Sequence, residues 1–133
     1  MSSLSDLIKR ADNVFSLLVR VRAANNNGNC TCVTCEKVQH YSQMHNGHYA
    51  LRENKSTRFD VVNCHPQCYE CNMANKGYAK RHKEYIINRY GLGCFEELQR
   101  RARQSYKFSH SELRELIKGW NQEIKQLKKE KGI

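Results

Sequence analysis

The sequence predicts an α+β fold that is mainly helical, with a zinc-stapled centre between an N-terminal helix and C-terminal helices. Three observations predict it. Apolar residues recur at helical spacing at both ends of the chain, short alternating and β-branched stretches lie only in the middle, and two Cys-x2-Cys pairs frame that middle. At 133 residues the chain is one domain, or one small module with helical additions. Apolar residues are 39% of it, below the usual ~45–50% even when glycine is counted. The core is therefore thin, and a metal or a disulfide framework is expected to support it.

The first unit is residues 1–29. Leu4, Leu7, Ile8, Ala11, Phe15, Leu18 and Val19 fall largely on one helical face, running from Leu4 to about Ala24. Ser3 or Ser5 is the candidate N-cap. Asn25-Asn26-Asn27-Gly28-Asn29 ends the helix, because Asn and Gly tolerate left-handed backbone angles.

The second unit is residues 30–91. Thr31 to Val38 reads as a tight hairpin around Cys32-Val33-Thr34-Cys35. Met44 to Leu51 and Arg58 to Val62 read as short strands, joined by the polar loop Arg52 to Thr57. A helix is expected after Cys68, running through Tyr85 to Tyr90 and ended by Gly91. The third unit, residues 92–133, is basic and helical. Leu92 to about Ser105 is one segment. Ser109 and Glu112 have capping-box spacing, and Leu113, Leu116, Ile117, Trp120, Ile124 and Leu127 then form an apolar stripe.

Composition removes several classes. No run of about 18 apolar residues occurs, so no spanning helix is expected. The N-terminus does not read as a secretory signal, and a cytoplasmic location is expected. Lys and Arg number 23 against 13 Asp and Glu, a net charge of +10. A surplus of that size on a small chain points to a polyanion, most simply nucleic acid.

Seven cysteines need a reason in a reducing compartment, and an odd count with tight pairs argues against disulfides. Cys32, Cys35, Cys68 and Cys71 are the ligand set of a closed tetrahedral structural Zn2+ site. Soft thiolates favour zinc over magnesium or calcium. Cys30 competes with Cys32, but the two-residue gap favours Cys32. Cys94 reads as core on an apolar helix face, and Cys64 as a packing thiol.

The stretch between the pairs is longer than a zinc ribbon requires. It holds Gly47-His48-Tyr49, then Arg58-Phe59-Asp60-Val61-Val62-Asn63, and Asn72 follows the last cysteine directly. That order resembles the phage lambda NinG (Rap) recombination family. The family is similar to the HNH, or ββα-metal (His-Me finger), nucleases, and the pattern also resembles recombination endonuclease VII. The resemblance is strong over about residues 30–91 and loose over the first helix. The final helix carries none of it.

The resemblance implies an HNH-like core of two strands and a helix around one Mg2+ or Mn2+ ion. It implies that His48 is the general base, that Asn63 braces the loop carrying it, and that Asn72 binds the metal. The chemistry suits these residue types. Neutral imidazole is a natural base near pH 7, and a hard cation keeps most of its waters and needs few protein ligands. The chain departs from the pattern at Gly47, where related nucleases carry Asp or His. His45 is the substitute the sequence offers, if Asn46-Gly47 makes a bulge that turns it inward. Asp60 is the competitor.

Arg52, Lys55, Arg58 and Lys76 surround this centre in sequence, and Lys80, Arg81 and Lys83 form a basic run with His82. They are the candidate DNA contacts. Phosphate contacts position a duplex without reading its sequence, so recognition of DNA shape is expected. His40 and His110 read as surface residues, and His65 as packing or touching phosphate. The activity implied is structure-specific cleavage of branched intermediates such as Holliday junctions or D-loops, in the host cytoplasm for a phage gene. A homodimer is expected, through the N-terminal helix or the Trp120 stripe. A non-catalytic zinc protein that binds DNA or assists recombination remains the alternative reading.

Overall fold

The computed structural model describes residues 2–74 and 76–133, with the side chains of residues 76 and 77 left out of the description. Helix α1 spans Leu4–Ala23. Ser3 caps it, its hydroxyl accepting from the Asp6 N–H at 3.1 Å, with Asp6 in the first turn where a carboxylate favours the dipole. The last helix of the chain, α5, spans His110–Lys131. The Ser109 hydroxyl accepts from the Glu112 N–H at 3.0 Å, as the capping-box spacing predicts. Gly132 ends α5 at φ 70°, a left-handed angle that glycine adopts without a Cβ penalty.

These two helices pack on each other although they lie at opposite ends of the sequence. Leu7 and Ala11 of α1 meet Leu113 and Ile117 of α5, and Phe15, Leu18 and Val19 meet Ile124. The Trp120 ring lies 4.9 Å from that of Phe15 and 5.2 Å from that of Phe59. The two faces read as alternative dimer surfaces are thus largely spent on one another within a single chain. At the far end, the Lys131 ammonium donates to the carbonyls of Val21, Arg22 and Ala24 at 2.9, 2.8 and 2.7 Å. Orphan carbonyls of α1 are satisfied there by a cation, which is also the charge its C-terminal dipole favours.

Between these helices lie two small antiparallel sheets. Strands β1 (Asn29–Thr31) and β2 (Val38–His40) form the hairpin that carries Cys32 and Cys35 at its turn. Strands β3 (His45–His48) and β4 (Cys64–Gln67) pair His45 with Gln67, Asn46 with Pro66, Gly47 with His65 and His48 with Cys64. Helix α2 (Tyr69–Met73) follows β4 directly. Helices α3 (Lys76–Tyr90) and α4 (Leu92–Ala102) then pack together through Ile86, Phe95 and Leu98. The architecture is mainly helical α+β.

Four expectations need correction. The strand expected over Met44 to Leu51 is only His45–His48. Arg58 to Val62 is a turn, because an Asp60 carboxylate oxygen accepts from the Val62 N–H at 2.9 Å and competes with a ladder. The partner strand lies just after it and contains Pro66, tolerated because the sheet has only two strands and both are edges. The helix after Cys68 is two helices, with Ala74 extended after α2 (φ −74°, ψ 165°). Cys94 is exposed on α4, and Phe95 and Leu98 take the core positions instead.

Candidate functional site

The β1–β2 hairpin brings Cys32 and Cys35 against Cys68 and Cys71, which flank and enter α2. The four sulfurs lie within 4.8 Å of one another. A tetrahedron with metal–sulfur bonds of about 2.3 Å has edges of about 3.8 Å. The Cys35 and Cys68 sulfurs are 3.8 Å apart. Ordinary thiols gain little from such crowding, whereas thiolates around a cation require it. Burial opposes ionisation of Cys32, but hydrogen bonds from Thr34 and nearby backbone outweigh it and bring the thiol down to about 6. The four cysteines are a potential metal site whose donor set fits structural zinc. Cys30 is not part of it: its thiol donates to the Arg20 carbonyl at 3.1 Å. Cys64 is buried beside Phe15 and Leu18, and burial pushes its thiol up, so it stays protonated.

The strand–strand–helix run of β3, β4 and α2 faces α1 across a cavity of about 430 Å3. His45, Asn46, His48 and Asn72 line it from one side, and Asp12, Asn13 and Ser16 of α1 from the other. His48, His45 and Asn72 are therefore brought to one place.

The His48 Nε2 atom lies 2.9 Å from the Arg58 carbonyl oxygen. A carbonyl only accepts, so Nε2 carries the proton and the Nδ1 lone pair is left free. Burial lowers the His48 pKa, against the Arg58 carbonyl and Asp12, which raise it. The ring is neutral at pH 7 and can accept a proton at Nδ1.

Asn63 is fully buried. Its oxygen accepts from the Ala50 N–H at 2.6 Å, and its amide donates to the carbonyls of Ala50 and Thr57 at 3.1 and 3.0 Å. One side chain thus ties both ends of the loop that follows His48. Asn72 sits one residue after Cys71 on α2, so the cysteine cluster fixes its backbone.

His45 is exposed, and its ring lies 5.7 Å from that of Tyr69. The β3–β4 register is regular, so the bulge expected at Asn46-Gly47 is not formed. Gly47 has a local reason. A Cβ there would lie 1.9 Å from Gln67 Oε1, and Gln67 itself donates to the Thr34 hydroxyl at 3.3 Å. Any side chain at this position would meet Gln67.

Asp60 is taken up elsewhere, paired with Arg101 at 2.7 Å. Arg58, expected to meet DNA, turns inward. Its Nε and terminal nitrogen donate to the two Asp12 oxygens at 2.7 and 2.5 Å, and its other nitrogen to the Arg52 carbonyl at 2.9 Å. Arg52 and Lys55 are exposed, Arg52 on the cavity wall. Lys80, Arg81 and Lys83 are exposed on α3, and the Lys76 side chain lies outside the described residues. His82 is buried, away from that basic surface, with Nε2 at 2.9 Å from His65 Nδ1.

Sequence reading missed Asp12, Asn13 and Asn46. The first two lie on the polar flank of α1, far from any motif. Asn46 stands beside the glycine that breaks the pattern, and that neighbourhood was the available signal.

The chain is 25% identical over 122 residues to Protein ninG of Escherichia phage 933W and of Enterobacteria phage VT2-Sa, and 24% identical to Protein ninG of Salmonella phage P22. The match covers 91% of this chain and 57–58% of those proteins, so the chain spans little more than half their length. No solved structure matches it. Among the described residues no helix is long and apolar enough to cross a membrane. The family model for the Bacteriophage Lambda NinG protein matches residues 1–130, and the chain belongs to that family.

Proposed function

We propose that this protein is a metal-dependent, structure-specific DNA endonuclease of the HNH type that cuts branched recombination intermediates. The observation that carries the reading is the tautomer of His48: Nε2 is held by the Arg58 carbonyl, so Nδ1 faces its surroundings as a proton acceptor. Asn72 lining the same cavity supports it, as does the strand–strand–helix order that begins at His45.

In this reading His48 takes a proton from water at Nδ1 while the Arg58 carbonyl holds the ring's orientation. Asn63 keeps the loop closed so that the carbonyl stays in place. A hard divalent cation, Mg2+ or Mn2+, would neutralise charge on the phosphate and on the leaving 3′ oxygen. Asn72 and one further side chain of the cavity, His45 by the sequence reading, would hold it. Oxygen-rich lining suits such an ion, and the cavity offers the side-chain oxygens of Asn13, Asn46 and Asn72, those of Asp12 being taken by Arg58. Arg52, Lys55 and the α3 cations would hold phosphates, and a net charge of +10 favours that contact.

The test is cleavage of labelled four-way, forked and linear DNA by the zinc-loaded protein with Mg2+ or Mn2+. Branched DNA should be cut and linear duplex spared. Equal cutting of all three would remove the structure preference, and cutting of none would leave a zinc-containing DNA-binding or accessory protein.

A further inference from the structure

The space beside Gly47 is filled by Gln67, so no ligand can come from the position that related nucleases use. The cavity must offer another. Asp12 has both oxygens engaged by Arg58. In a regular strand successive side chains alternate between faces, and β3 is regular, so Asn46 shares the face of His48 while His45 stands on the opposite one, although it too borders the cavity. His45 is exposed and lies against Tyr69.

Asn46 lines the cavity as Asp12 and His45 do, but its Oδ1 atom is buried with no hydrogen-bond partner among the described residues. Buried amide oxygens are almost always satisfied, and one that is not calls for an absent partner. A hard cation takes amide oxygens as ligands.

We propose that Asn46 Oδ1, with Asn72, is the protein ligand of the divalent cation beside His48, in place of a side chain at Gly47. This rests on the nuclease reading and moves the second ligand from His45 to Asn46. The amide oxygen is neutral, so the site is weaker in charge than one built on aspartate. Affinity should therefore rise when the amide is made a carboxylate.

The experiment is Mn2+ binding to the zinc-loaded full chain, followed by the electron paramagnetic resonance of free Mn2+, with and without a four-way junction. Zinc content and circular dichroism report folding. Asn46→Ala should weaken binding about ten-fold or more, and Asn46→Asp should retain or tighten it. If Asn46→Ala fails to fold, Asn46→Asp alone decides: a folded variant that has lost Mn2+ overturns the proposal. Unchanged binding in folded Asn46→Ala also overturns it. Loss on His45→Ala instead would return the role to His45 and leave the nuclease reading standing. Wild type that neither binds Mn2+ nor cuts DNA would end both.

Discussion

Arg58 and Asp12 lie 46 residues apart and form a two-pronged ion pair, the guanidinium of one meeting both carboxylate oxygens of the other at 2.7 and 2.5 Å. Both side chains are only 13–15% exposed. The same arginine lends its carbonyl to His48. Helix α1 therefore sets the position of the imidazole through one residue that touches both.

That relationship predicts the effect of Asp12→Ala. Removing one member of a largely buried pair strands the other, at a cost on the order of 3 kcal/mol. Thermal unfolding should report the loss, with Asp12→Asn intermediate because one neutral oxygen can still accept. A variant as stable as wild type would show that the pair does not hold this region.

Asn63→Ala removes three hydrogen bonds and leaves the Ala50 and Thr57 backbone groups without their partner. At about 1 kcal/mol per bond, with an added penalty for stranded groups, the loss should be on the order of 3 kcal/mol. Amide hydrogen exchange should rise around residues 50–57 while α5 stays protected. Uniform loosening of the whole chain would argue against a local brace.

The metal prediction separates the cysteines. Wild type should bind about one zinc per chain, and Cys68→Ser should lose it and unfold the centre. Cys94→Ser should keep it, since Cys94 is exposed on α4, away from the cluster. Cys30→Ser should also keep it while losing the contact to Arg20. Elemental analysis decides, and zinc loss from Cys30→Ser would put that residue back in the ligand set.

The buried histidine pair predicts acid sensitivity. Tyr90 donates to the Val61 carbonyl and His65 Nε2 to Tyr90, so His65 Nδ1 accepts from His82. Both rings are neutral. Burial, with the neighbouring His82 and Arg89, brings His65 down to about 3, and burial, with His48, brings His82 down to about 4. Unfolded histidines titrate near 6.5. The unfolded state thus binds more protons below that pH, and the stabilisation is complete above about pH 6.5 and is lost as pH falls toward 4 and 3. The double variant His65→Gln/His82→Gln should show a shallower fall in Tm over that range. An unchanged slope would place the acid sensitivity elsewhere, for instance in the zinc thiolates.

The legible parts of the sequence were the local ones. Ser3, Ser109 and Glu112 mark helix starts within four residues of the groups they cap, and Cys32, Cys35, Cys68 and Cys71 announce a common site by spacing alone. Contacts over long separations were not legible. Nothing near Arg58 says that Asp12 will take it, and nothing near Trp120 says that Phe15 will meet it. Apolar periodicity also overreached at Cys94, where Phe95 next to it is the larger side chain and won the buried position. At Arg58 to Val62 a strand-like composition lost to one aspartate oxygen that capped its own turn.

The most direct measurement is single-turnover cleavage of a labelled four-way junction with Mg2+, comparing wild type with zinc-loaded His48→Ala. A positioned general base contributes about 10²–10⁴-fold. The variant should cut slower by at least ~10² while binding the junction as wild type does. Equal rates for the two proteins, or no cutting by wild type with Mg2+ or Mn2+, would contradict the hydrolytic account.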